Sequence, residues 1–208
     1  MKNWNSLIRG CVVAVLVLPL VGAAGNASAQ NLLVNPDFET GDLTGWQVFG
    51  QSALSDVMVQ AGDNGPTLPG THNAYMENQA QAIGLTLKQT TGTFTATGGT
   101  VSYSYDLKLD QADAGGVLFV EIFAEAEGVG IVGGSGLIGP LFPWEWTSYS
   151  GTFVAPETTT FLTIQFMANT GANVGSNCLV HVDNVNLELQ GVVPNDATSW
   201  SGIKADYR

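Results

Sequence analysis

Basic residues are scarce in this chain: six Lys and Arg stand against eighteen Asp and Glu. Lys2 and Arg9 fall in an N-terminal leader, which leaves Lys88, Lys108, Lys204 and Arg208 and a net charge of −14 on the remainder. Such a surface repels nucleic acid phosphates and anionic headgroups, so neither is expected as a partner. Neutral ligands and divalent cations remain compatible with it. Cysteine is nearly missing as well. Cys11 lies in the leader, so Cys178 is left alone and no intramolecular disulfide can form. Cys178 opens an apolar stretch, the setting of a buried, inert thiol. After the leader no apolar run is long enough for a membrane anchor. Helix signals are nearly absent too, and that points to an all-β chain.

What is present begins with the leader itself. Residues 1–29 carry a basic start, a short apolar core over 11–20 and the small-residue site Ala27-Ser28-Ala29. They read as a signal peptide, and the expected location is extracellular or the cell surface. The rest, about 179 residues, suits one domain with a sizeable core. The expected division is a sandwich domain over 30–190 and a linker with a tail over 191–208. In the tail, Trp200, Ile203 and Tyr207 fall at helical spacing, and Gly202 weakens that helix. Docking to a surface or a protein partner is one use for it, and packing on the sandwich or disorder are others.

Between these ends, apolar residues recur at every second position, the period of strands. Short strands are expected over 53–60, 74–77, 83–89, 147–154 and 161–168, with a loop over 61–73. The clearest alternation puts Val101, Tyr103, Tyr105, Leu107 and Leu109 on one face and Ser102, Ser104, Asp106, Lys108 and Asp110 on the other. Residues 117–126 differ, since Leu118, Val120, Ile122 and Ala124 form one row and Phe119, Glu121, Phe123 and Glu125 the other. Residues 128–139 are glycine-rich and read as a flexible hairpin connection or long loop. In the last strand, Cys178, Val180 and Val182 share one parity and Val185, Leu187 and Leu189 the other. Both trios reach a core only if the pleat slips at Asp183-Asn184, as a bulge allows. About ten short strands with no helix between them indicate a two-layer antiparallel β-sandwich.

The stretch from Asn31 to Trp46 crowds Asp37 and Glu39 around Phe38. Read as a strand, it buries Phe38 and sends both acids to the other side. A bound cation is one reason for that crowding, and a solvated strand edge is the other. Asn31-Leu32-Leu33-Val34-Asn35-Pro36-Asp37-Phe38-Glu39 followed by Gly45-Trp46 resembles the opening of carbohydrate-binding modules of families four and nine, which are galactose-binding-like jelly rolls. Val182-Asp183-Asn184-Val185-Asn186-Leu187 resembles their last strand, and Trp146 with Ser150-Gly151-Thr152-Phe153 their penultimate hairpin. Pro36 departs from the glycine more usual there. The resemblance implies a structural calcium tying the first strand to the last, with Glu39 and Asp183 as side-chain ligands. Backbone carbonyls near Gly41 and Thr71 would complete a shell of 6–8 oxygens, and Asp37 is a further candidate.

A polysaccharide or other glycan is the partner the resemblance implies. Flat aromatic faces and hydrogen-bonding side chains would have to hold it. The row Phe119, Glu121, Phe123 and Glu125, joined by Gln165, supplies both, and Trp144 beside Phe142 is expected to overhang it. The alternative is that the glycine-rich segment covers Phe119 and Phe123 as a minor second core. Trp46 and Trp146 are assigned to the main core. Nothing points to catalysis: Glu121 and Glu125 lie about 13 Å apart along a strand, beyond the 5–9.5 Å of paired glycosidase carboxylates. His181 reads as a packed histidine. Two functions follow, a non-catalytic carbohydrate-binding protein and a surface or matrix protein that uses the sandwich for protein contacts.

Overall fold

A computed structural model describes residues 30–190 and 192. The expected signal peptide over 1–29 and the expected tail with Trp200 lie outside those residues. Eleven strands are described: β1 (Gln47–Phe49), β2 (Ser55–Ala61), β3 (His72–Asn78), β4 (Gly84–Thr90), β5 (Gly99–Asp113), β6 (Val117–Ala126), β7 (Gly130–Gly134), β8 (Ile138–Leu141), β9 (Thr147–Ala155), β10 (Phe161–Asn169) and β11 (Asn177–Leu189). They form two antiparallel sheets. The front sheet runs β1-β4-β10-β6-β7, with β8 also paired to β6, and the back sheet runs β2-β3-β11-β5-β9. The sandwich expected from the alternation is therefore the observed architecture.

Inward rows from both sheets close one core. Leu85 and Leu87 of β4, Leu118, Val120, Ile122 and Ala124 of β6, and Leu162, Ile164 and Phe166 of β10 supply the front. Tyr105, Leu107 and Leu109 of β5 meet them from behind, with the Tyr105 and Phe166 rings edge to face at 5.3 Å. Edge-to-face contact suits aromatic quadrupoles and adds to the area these rings bury.

The pleat slip in β11 is present. Its register to β5 shifts between Asp183 and Asn186, and Asn184 takes a left-handed φ of 50°. Cys178, Val180 and Val182 on one side of the slip and Val185, Leu187 and Leu189 on the other are all buried. The bulge thus keeps a mismatched sequence facing one core.

Three local expectations change. Residues 31–46 form successive turns instead of a strand. Phe38 is still fully buried, because its own φ of 57° turns the side chain inward onto Trp46, with ring centroids 5.2 Å apart. A left-handed bulky residue is costly, so packing must hold it there. The glycine-rich segment is ordered into β7 and β8 along β6. At Gly134 a Cβ would lie 2.4 Å from the Ile122 carbonyl oxygen, so bare backbone is what lets β7 approach. Trp146 is not in the core. It lies against His181 on the outer side of the back sheet and donates its indole N–H to Asp63 at 3.0 Å.

Candidate functional site

Two regions outside the core gather polar side chains. The first is the outer face of the front sheet. Since Leu85 and Leu87 point inward, Thr86 and Lys88 must point out, and the same alternation turns Phe119, Glu121, Phe123 and Glu125 of β6 to that face. Register aligns them in rows. Phe49, Thr86, Met167 and Phe119 form one row, and Gln47, Lys88, Gln165 and Glu121 the next. Thr163 and Phe123 are partners in a third. Phe49, Thr86, Lys88 and Gln165 line an open pocket of about 250 Å³. Phe49, at the end of β1, is 51 % exposed.

Of the six residues expected to meet a ligand, five share this face: Phe119, Glu121, Phe123, Glu125 and Gln165. All five are half-buried. Phe119 is partly roofed, since its ring lies 2.9 Å from where a Cβ on Gly139 would sit. Trp144 goes elsewhere. It stacks on Phe142 at 6.5 Å in the β8–β9 connection, and both rings are about half exposed. That connection bends toward the back sheet, where the Leu109 N–H donates to the Pro143 carbonyl at 2.6 Å. The pocket lining does not include Trp144. Phe49 and Lys88 were not foreseen, although the period-two signal was there. Val48 packs on the core, so Phe49 must face out.

The second region lies on the outer face of the back sheet, under the loop between β2 and β3. This loop is a strap. Gly65 N–H donates to Asp183 at 2.8 Å, Thr67 N–H to Asp106 at 2.9 Å, and Lys108 pairs with Asp63. Beneath it, Asp106 and Asp183 are each 1 % exposed. Burial pushes the Asp183 carboxyl up to about 7, against the N–H donors of Gly65 and Asn184, and the charges of Asp106 and Asp37 add to the rise. Burial also opposes ionisation of Asp106. There the hydrogen bonds from Ser148, Thr67 and Asn184 win and hold it below its ordinary value. His181 is packed as expected, with its ring nitrogens 2.8 Å from Asn73 Oδ1 and 3.0 Å from Asp110 Oδ2.

The expected cation ligands fall into two adjoining groups. Glu39 accepts N–H bonds from Thr71 at 2.6 Å and His72 at 2.8 Å and the Thr71 hydroxyl at 2.9 Å. The Thr71 N–H leads in holding its carboxyl down at about 2. A Cβ on Gly41 would sit 3.8 Å from the His72 ring, so Gly41 belongs to this group. Asp183, Asp106 and Asp37 make the other. Asn64 stands between them, next to Gly65, and with Glu39 it crowds over Gly70. Its side-chain oxygen is buried and has no hydrogen-bond partner. Among the described residues, no three His, Cys, Asp or Glu side chains converge as a metal site. Any cation here would draw on amide and backbone oxygens as well. Among the same residues no helix is long and apolar enough to cross a membrane.

No family model and no curated protein matches the chain. Solved structures do. TmCBM61 in complex with β-1,4-galactotriose is 16 % identical with a TM-score of 0.54, and the match covers 77 % of this chain and 99 % of that one. The N-terminal modules of Clostridium thermocellum xylanase 10B complexed with xylohexaose are 17 % identical at 0.55, over 82 % of this chain and 30 % of that one. The enzymatically active domain of bacteriophage CBA120 tailspike protein 4 is 15 % identical at 0.59 over 76 % of this chain, which spans about a fifth (21 %) of that domain. At these identities the likeness establishes the fold, a β-sandwich of the kind found in carbohydrate-binding modules.

Proposed function

We propose that this protein is an exported, non-catalytic carbohydrate-binding protein that takes a saccharide on the outer face of its front sheet. The observation that carries this reading is the pocket at Phe49, Thr86, Lys88 and Gln165, on a face that also carries Glu121 and Phe123 one strand further on. A solvent-facing ring offers a surface for a pyranose, and amide, hydroxyl and charged groups beside it bond hydroxyls. The saccharide complexes of structures sharing the fold support the reading by analogy. A glycan array with the intact protein, Phe49→Ala and Gln165→Ala is the test. The intact protein binds at least one glycan and both variants lose signal. Failure to bind any glycan overturns the reading.

A structural calcium is part of the proposal. Asn64 Oδ1, Asp183 and Glu39, with Asp37 and backbone carbonyls near Gly41 and Thr71, are the oxygens that would hold it. The fit rests on the orphaned Asn64 oxygen beside a buried carboxylate pair. A bound divalent cation would supply the positive counter-charge that Asp106 and Asp183 lack. Its role is to fasten the strap to the first turn, away from the saccharide face.

Protein contact is the second reading, and the exposed Phe142–Trp144 stack at the sandwich edge favours it. Sedimentation of the intact protein against a Phe142→Ser/Trp144→Ser variant tests it. Concentration-dependent association that the variant loses supports this role, and a monomer at all concentrations counts against self-contact.

A further inference from the structure

We infer that the saccharide taken by the front sheet is acidic, and that Lys88 holds its carboxylate or ester sulfate. This rests on the saccharide reading given above. The described residues contain two basic side chains, Lys88 and Lys108. Lys108 is spent on the back sheet, paired with Asp63 and with Asp110 at 3.2 Å. Lys88 makes no ion pair among the described residues, and it stands in the pocket lining with Phe49, Thr86 and Gln165.

The outward position asks for a polar side chain, and an uncharged one would serve there as well. Lysine is depleted in strands, and one structural use for it is at sheet edges, where it blocks edge-to-edge pairing. Here β4 is interior, with β1 on one side and β10 on the other, and Lys88 is the register partner of Gln47 and Gln165. Both cross-strand neighbours are uncharged amides. They already offer donors and acceptors for sugar hydroxyls, so an ammonium adds little for a neutral ring. What it adds is charge, and a charge-assisted hydrogen bond is roughly twice as strong as a neutral one.

The carboxylates of the face are placed on the far side. Glu121 is the register partner of Gln165, one strand beyond it, and Glu125 is on the same strand. Two interstrand spacings separate Lys88 from Glu121, about 10 Å. An acidic ligand is therefore attracted over β4 and repelled over β6, which fixes its orientation as well as its class. The acidic surface as a whole opposes any anion. At physiological ionic strength the Debye length is about 8 Å, so that field is screened while a contact at Lys88 is not.

Calorimetry at fixed calcium tests the inference with matched hexasaccharides of the gluco, manno and galacto series. Each is supplied neutral, as the C6 carboxylate and as the C6 sulfate, so that the two anionic sources are separated. At least one acidic hexasaccharide binds about tenfold more tightly than its neutral counterpart, as one charge-assisted contact allows. Lys88→Gln removes that preference, Lys88→Arg keeps it, and the thermal midpoint of both variants stays within a degree or so of the parent's. A neutral hexasaccharide that binds as well as its acidic forms, or a preference that survives Lys88→Gln, overturns the inference and leaves the saccharide reading standing. Absence of binding to every hexasaccharide overturns the inference, and the glycan array then decides the saccharide reading.

Discussion

Asp106 and Asp183 are register partners on β5 and β11, and Asn184 touches both, donating its side-chain amide to Asp106 at 2.8 Å and its backbone N–H to Asp183 at 2.7 Å. Two buried carboxylates at one amide cannot both carry charge cheaply. In the metal-free protein the proton therefore rests on Asp183, the less well bonded of the two.

That placement gives a pH dependence with a definite sign. The folded Asp183 holds its proton up to about 7, against an ordinary value of 3.8. The native state therefore binds more protons than the unfolded chain, and the contribution is full below about pH 4 and lost as pH rises through about 7. The melting temperature of chelated protein should fall over that window, and Asp183→Asn should flatten the fall. Glu39, Asp63 and Asp110 have lowered values, so their contributions are lost on the acid side and do not mask it. A midpoint that rises across the window would contradict the assignment.

Calcium should reverse the trend. A cation that binds only the folded state at a hundredfold excess over its Kd stabilises by about 2.7 kcal/mol. Calcium is expected to raise the midpoint most at neutral pH, where Asp183 is easiest to ionise. Asn64→Ala should weaken calcium binding without altering the chelated protein's fold. No shift on adding calcium or chelator would remove the calcium from the proposal.

Gly65 is the tightest point of the strap. A Cβ there would meet Asp106 Oδ2 at 2.6 Å and Asn184 Nδ2 at 2.7 Å, both held in the buried network. Gly65→Ala should cost about 1–3 kcal/mol by overpacking and speed amide exchange at Gly65 and Thr67. Gly92, with nothing within 4 Å of its Cβ position, is the control expected to be neutral. Equal midpoints for the two variants would show that the strap is not packed as described.

Phe38→Ala removes a fully buried ring from beneath Trp46 and should cost about 3–5 kcal/mol in urea unfolding. A loss below about 1 kcal/mol would mean that the opening turns are dispensable.

Cys178 should resist thiol reagents in the native state, because burial pushes its thiol up to about 12. Modification by a disulfide reagent is expected to proceed only as fast as the protein opens. Rapid stoichiometric labelling would contradict this.

Period-two alternation made the layers legible, and the parity change at Asp183-Asn184 betrayed the bulge, because both are properties of the chain taken alone. The turns at Asn35 to Phe38 were not legible. A left-handed Phe38 is favoured by nothing in its own residue type and only by its packing on Trp46 in the core. Trp146 was misplaced for a related reason. Its company, Asp63 and His181, arrives from loops and strands remote in sequence, as does the strap that buries Asp106. Lys88 and Phe49 needed only the alternation of β4 and β1, but each of those strands is short and the acidic row on β6 is more conspicuous.

The place of β11 has a consequence for how the molecule is assembled. It is the last described strand in chain order, yet it is the central strand of the back sheet, and Val185 N–H also donates to the Pro36 carbonyl at the other end of the domain. While the chain emerges in sequence, β3 and β5 have no common neighbour, and the Pro36 carbonyl lacks its Val185 donor. Closure must wait for the final residues and then proceeds through long-range pairings, which form slowly. A domain built this way stays open along its length until its last strand is supplied, and it locks only when that strand docks between β3 and β5.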